Sequence, residues 1–246
     1  MKLTFLGTNG WFDSDTGNTV CAMMETKERY IVLDAGMGIH RLDQYMMGCK
    51  PVDLFLSHFH LDHIAGLHCI MKFVFLPKMR IIGQPGTRAI LDRIMGQPFT
   101  VALDQMPFPV EVMELEEGWH DIGYRVECRL LDHVSPCFGY RIEAEGRKIA
   151  YCTDTGETEN IVRLAQDADL LISECAFKRG QTNPRWPHLN PDLAISLAQR
   201  AGCRRLALTH FDAQRYQTLE ERKEIESLKD GFPGLIVAYD RLQIEL

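Results

Sequence analysis

The sequence predicts a single α/β domain, and three observations carry that expectation. Strand-like runs open the chain, strands and helices alternate through its C-terminal part, and no low-complexity linker or charge block divides its 246 residues. Length alone admits one large domain or two small ones, at roughly 100–200 residues each. Alternation places helices over sheets, and the missing linker favours one compact unit over two similar halves.

The elements follow in order. Lys2–Gly7, Thr19–Thr26 and Tyr30–Asp34 are strand-like, separated by Gly, Asp and Asn turn signals. Val52–Ser57 continues the series and leads into Ile64–Leu76, where Ile64, Leu67, Met71 and Val74 recur at helical spacing. A helix is expected over Thr87–Met95. Strands follow near Val110–Leu115, Tyr124–Leu131, Phe138–Ile142 and Lys148–Cys152. The alternating part reads helix Thr158–Ala168, strand Leu170–Ser173, helix Asp192–Ala201, strand Arg205–Leu208, helix Leu219–Lys229 and strand Leu235–Ala238. Asn190-Pro191 has the form of an N-cap followed by proline at the first helical position, and Thr218 with Glu221 that of a capping box.

Composition narrows the function classes. With 46% hydrophobic and 25% charged residues the chain can bury a sizeable core. Its net charge of −7 argues against a general nucleic-acid binder, which would carry a basic face. The eight cysteines form no CxxC pair and mostly have apolar neighbours, which suits buried thiols in a reducing compartment. The apolar stretch of the opening MKLTFLG is too short for a signal peptide, and nothing later approaches a membrane span. A cytoplasmic protein is expected.

Four apolar runs end in a metal-ligating residue: Val52–Ser57 at His58, Cys128–Asp132 at His133, Ile149–Thr153 at Asp154, and Leu206–Thr209 at His210. Strand carboxyl ends converge in sheet-and-helix folds, so ligands remote in sequence can meet there. The sharpest local signal is His58-Phe59-His60-Leu61-Asp62-His63, an HxHxDH motif. In an extended segment residues two apart share a face, so His58 and His60 can hold one ion. Asp62 and His63 fall where the chain turns into a helix and can reach a second. Imidazole and carboxylate without thiolate suit zinc, manganese or iron.

HxHxDH with downstream His, Asp and His resembles the metallo-β-lactamase superfamily. Several segments resemble ribonuclease Z and its phosphodiesterase relatives in particular: Leu6-Gly7-Thr8, Leu33-Asp34-Ala35-Gly36, Phe138-Gly139-Tyr140-Arg141 after His133, Thr153-Asp154-Thr155, Thr209-His210-Phe211 with Arg215-Tyr216, and Ala238-Tyr239-Asp240. The resemblance implies an αββα four-layer sandwich with metals at its rim. It implies that His58, His60 and His133 hold one divalent ion, Asp62, His63 and His210 the other, and that Asp154 bridges them, leaving room for a bridging hydroxide. Asp34 would orient a ligand histidine. Glu174 and His188 resemble the ribonuclease Z pair in which a glutamate orients a proton-donating histidine, a pair that lactonases and thioesterases of the superfamily generally lack. His40, His68 and His120 fit no motif. Trp11, Phe12 and Trp186 are expected to pack in the core rather than line a substrate mouth.

One departure matters. Ribonuclease Z in its usual bacterial form carries a long arm that grips transfer RNA between the third-motif and fourth-motif strands. Here Gly139–Ile149 joins them as a tight hairpin. The expectation is therefore a binuclear phosphodiesterase acting on a small or medium diester through a metal-bridging hydroxide, with Asp62, His188 and Glu174 catalytic. A cyclic nucleotide or an RNA end would suit it. An armless ribonuclease Z-type endonuclease, an aryl sulfatase or a lactonase on the same fold are the alternatives, and a non-catalytic binding protein is the reading from another class. The resemblance also implies a homodimer.

Overall fold

The computed structural model describes every residue except Phe75. The chain opens with β1 (Lys2–Gly7), the short β2 (Asn9–Gly10), β3 (Cys21–Glu25), β4 (Tyr30–Leu33) and β5 (Val52–Phe55). After α1 (Leu61–Ile64) and a 3₁₀ segment (Ala65–Lys72) come β6 (Met79–Gly83), α2 (Thr87–Ile94), β7 (Val110–Glu114), β8 (Gly118–Asp121), β9 (Arg125–Leu130), β10 (Phe138–Ala144) and β11 (Arg147–Cys152). The rest is α3 (Glu159–Leu164), β12 (Leu170–Glu174), α4 (Pro191–Arg200), β13 (Leu206–Thr209), β14 (Phe211–Asp212), α5 (Leu219–Lys223), β15 (Leu235–Val237) and β16 (Gln243–Glu245).

These strands form two seven-stranded sheets, ordered β16-β1-β3-β4-β5-β6-β7 and β15-β13-β12-β11-β10-β9-β8, with β2 and β14 pairing separately. Each sheet has an antiparallel part and a parallel part. Their inner faces meet in one core, where Phe5, Leu33 and Phe55 of the first sheet pack with Tyr140, Tyr151 and Ile172 of the second. A second core lies between the first sheet and the helical segments after β4 and β5, and a third between the second sheet and α3, α4 and α5. The three cores separate four layers, the αββα order expected. All eight cysteines are thiols, six of them buried. Among the described residues no helix is long and apolar enough to cross a membrane.

Local signals place the C-terminal helices. Asn190 caps α4 by accepting from Leu193 N–H, with Pro191 following, and Thr218 and Glu221 form a reciprocal capping box on α5. The segment after the HxHxDH motif differs from expectation. It is mostly a 3₁₀ helix, and its buried large apolar residues are Ile64, Leu67, Ile70, Phe73 and Leu76, whereas Met71 and Val74 face solvent. Three residues per turn repeats the apolar face every third position, so the four-residue step from Leu67 to Met71 carries Met71 and then Val74 to the wrong side. Of the expected span Ile64–Leu76, Phe75 lies outside the described residues. The helices expected over Thr158–Ala168 and Leu219–Lys229 are shorter: α3 stops at Leu164, and α5 tightens into a 3₁₀ turn over Glu224–Asp230.

Candidate metal centre and its cleft

Strand adjacency brings the motif residues together. In the first sheet β4 and β5 run parallel with Leu33 beside Phe55, so Asp34 and the His58 loop emerge side by side. In the second sheet β11, β12 and β13 are parallel neighbours whose carboxyl ends deliver Asp154, Glu174 and His210. His133 follows β9. The two rims are joined at this end by backbone bonds, Phe138 N–H to Ser57 O (2.8 Å) and Phe211 N–H to Thr8 O (2.9 Å).

The atoms that could ligate a metal fall into two groups, His58, His60, His133 and Asp154 in one, Asp62, His63 and His210 in the other. Asp154 faces both. Its Oδ2 lies 3.6 Å from His58 Nε2 and 3.8 Å from His133 Nε2, and its Oδ1 lies 3.1 Å from His63 Nε2 and 2.9 Å from His210 Nε2. The seven residues that the family resemblance names as ligands thus lie together. His40, His68 and His120 belong to neither group; each has a nearby backbone carbonyl as partner.

The donor set fits cations. His58 Nε2 and His133 Nε2 are buried without a hydrogen-bond partner among the described residues, and a buried polar atom left unmatched costs about 1–3 kcal/mol. An ion between these nitrogens and Asp154 would satisfy both. In the second group His63 Nε2 and His210 Nε2 approach to 3.1 Å beside two carboxylates. Burial opposes charge on His210, yet Asp154 and then Asp62 push its pKa up to about 10. Burial likewise opposes ionisation of Asp154, and the His210 and His63 charges hold it well below the carboxylate range. The carboxylates thus draw positive charge to this point.

The surroundings orient these side chains. Asp34 is fully buried; its Oδ2 lies 2.8 Å from His63 Nδ1 and accepts from Ser57 Oγ (2.8 Å) and Tyr151 OH (2.6 Å), while Oδ1 accepts from Ser57 N–H (2.7 Å). With Nδ1 engaged, His63 is left with Nε2 toward the cluster. Asp34 (φ 58°), Asp154 (φ 50°) and His210 (φ 53°) all have left-handed backbones. This conformation is sparse for non-glycine residues and clusters at functional sites.

Glu174 and His188 also meet. His188 Nδ1 lies 2.7 Å from Glu174 Oε1, and that carboxylate further accepts from the backbone N–H groups of Thr155 (2.6 Å), Ala176 (3.1 Å) and Leu189 (3.2 Å). Burial disfavours charge on His188, but the Glu174 carboxylate outweighs it and holds the imidazole pKa above its ordinary value. The His188 ring is 6.1 Å from those of both His133 and His210, so it stands over the two groups.

A cleft of about 670 Å³ opens onto the cluster and is lined by Asp62, Asp154, His188 and His210 among others. The expectation that Trp11, Phe12 and Trp186 pack in the core is overturned. They are 63%, 41% and 48% exposed, and both tryptophans line the cleft. Trp11 has a left-handed backbone (φ 72°) and donates its N–H to Asp62 Oδ2 (2.7 Å), which anchors the main chain at the site while the indole stays in solvent. Trp186 lies in the loop between β12 and α4, its ring parallel to that of His60 at 6.3 Å. Arg222, which no motif marked, is buried beneath the same N-terminal loop and donates to Thr8, Asn9 and Thr16.

Comparison with known proteins agrees with this fold. A ribonuclease Z from Cyanothece sp. is 27% identical over 100% of this chain and 96% of its own length, in an alignment of 313 positions against the 246 residues here. The metallo-β-lactamase fold protein YhfI from Bacillus subtilis superimposes with a TM-score of 0.80 at 23% identity, covering 100% of this chain and 98% of that one. The short form of human tRNase Z gives 0.74 at 24%, covering 100% of this chain. Residues 29–211, which hold all seven proposed ligands, match the model of the beta-lactamase superfamily domain, and the chain belongs to that family.

Proposed function

We propose that this chain is a binuclear metal-dependent phosphodiesterase acting on small or medium diesters. His58, His60 and His133 would hold one divalent ion and Asp62, His63 and His210 the other, with Asp154 shared; zinc is the first candidate, manganese and iron the others. Bound there, such ions supply Lewis-acid charge that polarises a phosphoryl group and acidifies water at the site.

The chain's own residues supply the rest. Asp62, one oxygen fixed by Trp11 N–H, orients the attacking water and can take its proton. The observation that carries the reading is the Glu174–His188 pair at 2.7 Å. Nδ1 is committed to the carboxylate, so Nε2 is the atom that remains to protonate a departing oxygen. A proton donor is needed when the leaving group is a poor alkoxide, as in a natural phosphodiester, and far less for a thiolate. The named relatives that act on RNA favour the same bond. The turn joining β10 and β11 is only Glu145-Gly146, which leaves no arm there to follow a transfer RNA and favours a shorter substrate.

One kinetic panel tests the proposal. The metal-loaded protein is offered an aryl phosphodiester, cyclic nucleotides, precursor transfer RNA, an aryl sulfate and a lactone. Turnover of phosphodiesters above all others is expected. Preference for the sulfate or the lactone would overturn it.

A further inference from the structure

Tryptophan is a large residue that is highly buried on average. Of the three in this chain, two stand on the rim of the cleft with about half or more of their surface in solvent. The third, Trp119, is also exposed but is covered by the Arg125 guanidinium 4.2 Å from its ring. The two rim residues neighbour different groups of the candidate centre. Trp186 has its ring 6.3 Å from His60 and 6.4 Å from His133, beside the first ligand group. Trp11 is tied through its amide to Asp62 of the second. Its left-handed backbone is costly for a bulky residue and persists only where the surroundings enforce it. Charge offers little alternative for substrate recognition. Among the described lining residues Arg215 is the one lysine or arginine, and it is already neutralised by Asp212 at 2.9 Å while lying over the Phe177 ring.

We propose that Trp11 and Trp186 are a pair of stacking subsites that select diesters carrying a flat aromatic ring on each side of the phosphate, of dinucleotide size. Indole faces accept any nucleobase or aryl ring, because stacking does not depend on a hydrogen-bond pattern. A cleft of about 670 Å³ is of the size that encloses such a ligand. Sugar phosphates and alkyl diesters would lack both contacts. This inference rests on the phosphodiesterase reading.

Two measurements on the metal-loaded protein test it. The first is binding, by calorimetry, of adenosine 5′-monophosphate and of ribose 5-phosphate. The nucleotide is expected to bind about tenfold more tightly, and at least one of Trp11→Ala and Trp186→Ala should shrink that ratio, with Trp→Phe restoring most of it. Equal binding of the two ligands by the native protein overturns the inference. The second is kcat/KM for bis(4-nitrophenyl) phosphate against ethyl 4-nitrophenyl phosphate, which share a leaving group. Intrinsic reactivity cancels when native and variant ratios are compared, and a fall of about tenfold in at least one alanine variant is expected. Ratios unchanged in both variants overturn the inference and leave the phosphodiesterase reading standing. Discrimination between the two phosphates with no turnover of either diester overturns the phosphodiesterase reading and with it diester selection, and leaves only the stacking contacts standing.

Discussion

The backbone N–H of Trp11 lies 2.7 Å from Asp62 Oδ2, joining the first loop of the chain to the HxHxDH motif across 51 residues. The neighbouring Gly10 lies so close to the site that a Cβ built on it would fall 2.5 Å from the His210 ring. The N-terminal loop is therefore a wall of the centre. Gly10→Ala is expected to displace His210 and lower metal affinity by about 10–100-fold, the range seen when ligand orientation is disturbed. Metal titration of the dialysed variant reads this directly; native affinity would refute it.

Asp154 faces both groups with different oxygens. Two equivalents of zinc or manganese should bind the native protein and raise its melting temperature through mass action. Asp154→Ala should retain less than one equivalent and lose most of that thermal shift. Elemental analysis after dialysis, together with a melting curve, checks both parts.

His188 and Glu174 should act as a unit. His188→Ala is expected to slow diesters with poor alkoxide leaving groups by roughly 10²–10⁴-fold, and activated aryl esters far less. Glu174→Gln should move activity in the same direction, by a smaller factor, because the amide still fills the space. A leaving-group series measures the slope for each variant. Equal losses on both ester classes would remove His188 from the role of proton donor.

A separate prediction concerns stability. Asp53 is buried in β5, where it accepts from Arg29 (2.9 Å), Arg80 (2.7 and 2.6 Å) and Tyr124 (2.9 Å). Burial would raise its pKa, but the Arg80 and Arg29 hydrogen bonds hold it below the ordinary 3.8. A carboxylate depressed in the folded state contributes stability that is fully present above pH 3.8 and lost as pH falls through the lowered value. Asp53→Asn should cost about 2–4 kcal/mol near neutrality, because two partly exposed guanidiniums lose their counter-charge. The difference from the native protein should shrink below pH 4. Urea unfolding at pH 7 and pH 3.5 tests the sign.

Much of the candidate centre was legible because its ligands cluster in one motif and at the ends of apolar runs. His58, His133, Asp154 and His210 all follow strands that the hydrophobic pattern marks. The segment after the motif is misleading because apolar residues in Ile64–Leu76 fit three- and four-residue steps alike, and only packing selects the set 64, 67, 70, 73 and 76. Trp11 and Trp186 were misplaced for a different reason. Hydrophobicity predicts burial on average, while their exposure depends on a left-handed turn at Trp11 and on the loop carrying Trp186, neither of which leaves a periodic trace. Arg222 gave no signal because its partners, Thr8, Asn9 and Thr16, lie more than two hundred residues away.

The proposed ligands are drawn from both sheets: His58, His60, Asp62 and His63 follow β5 of the first, while His133, Asp154 and His210 follow strands of the second. A cation held by such a set is a further clasp across the seam between two half-molecules already joined by apolar packing and by buried hydrogen bonds such as Tyr151 to Asp34. Loading it would make the halves open together, so slow amide exchange should spread into both sheets at once. Chelation would let each half breathe by itself long before the protein unfolds.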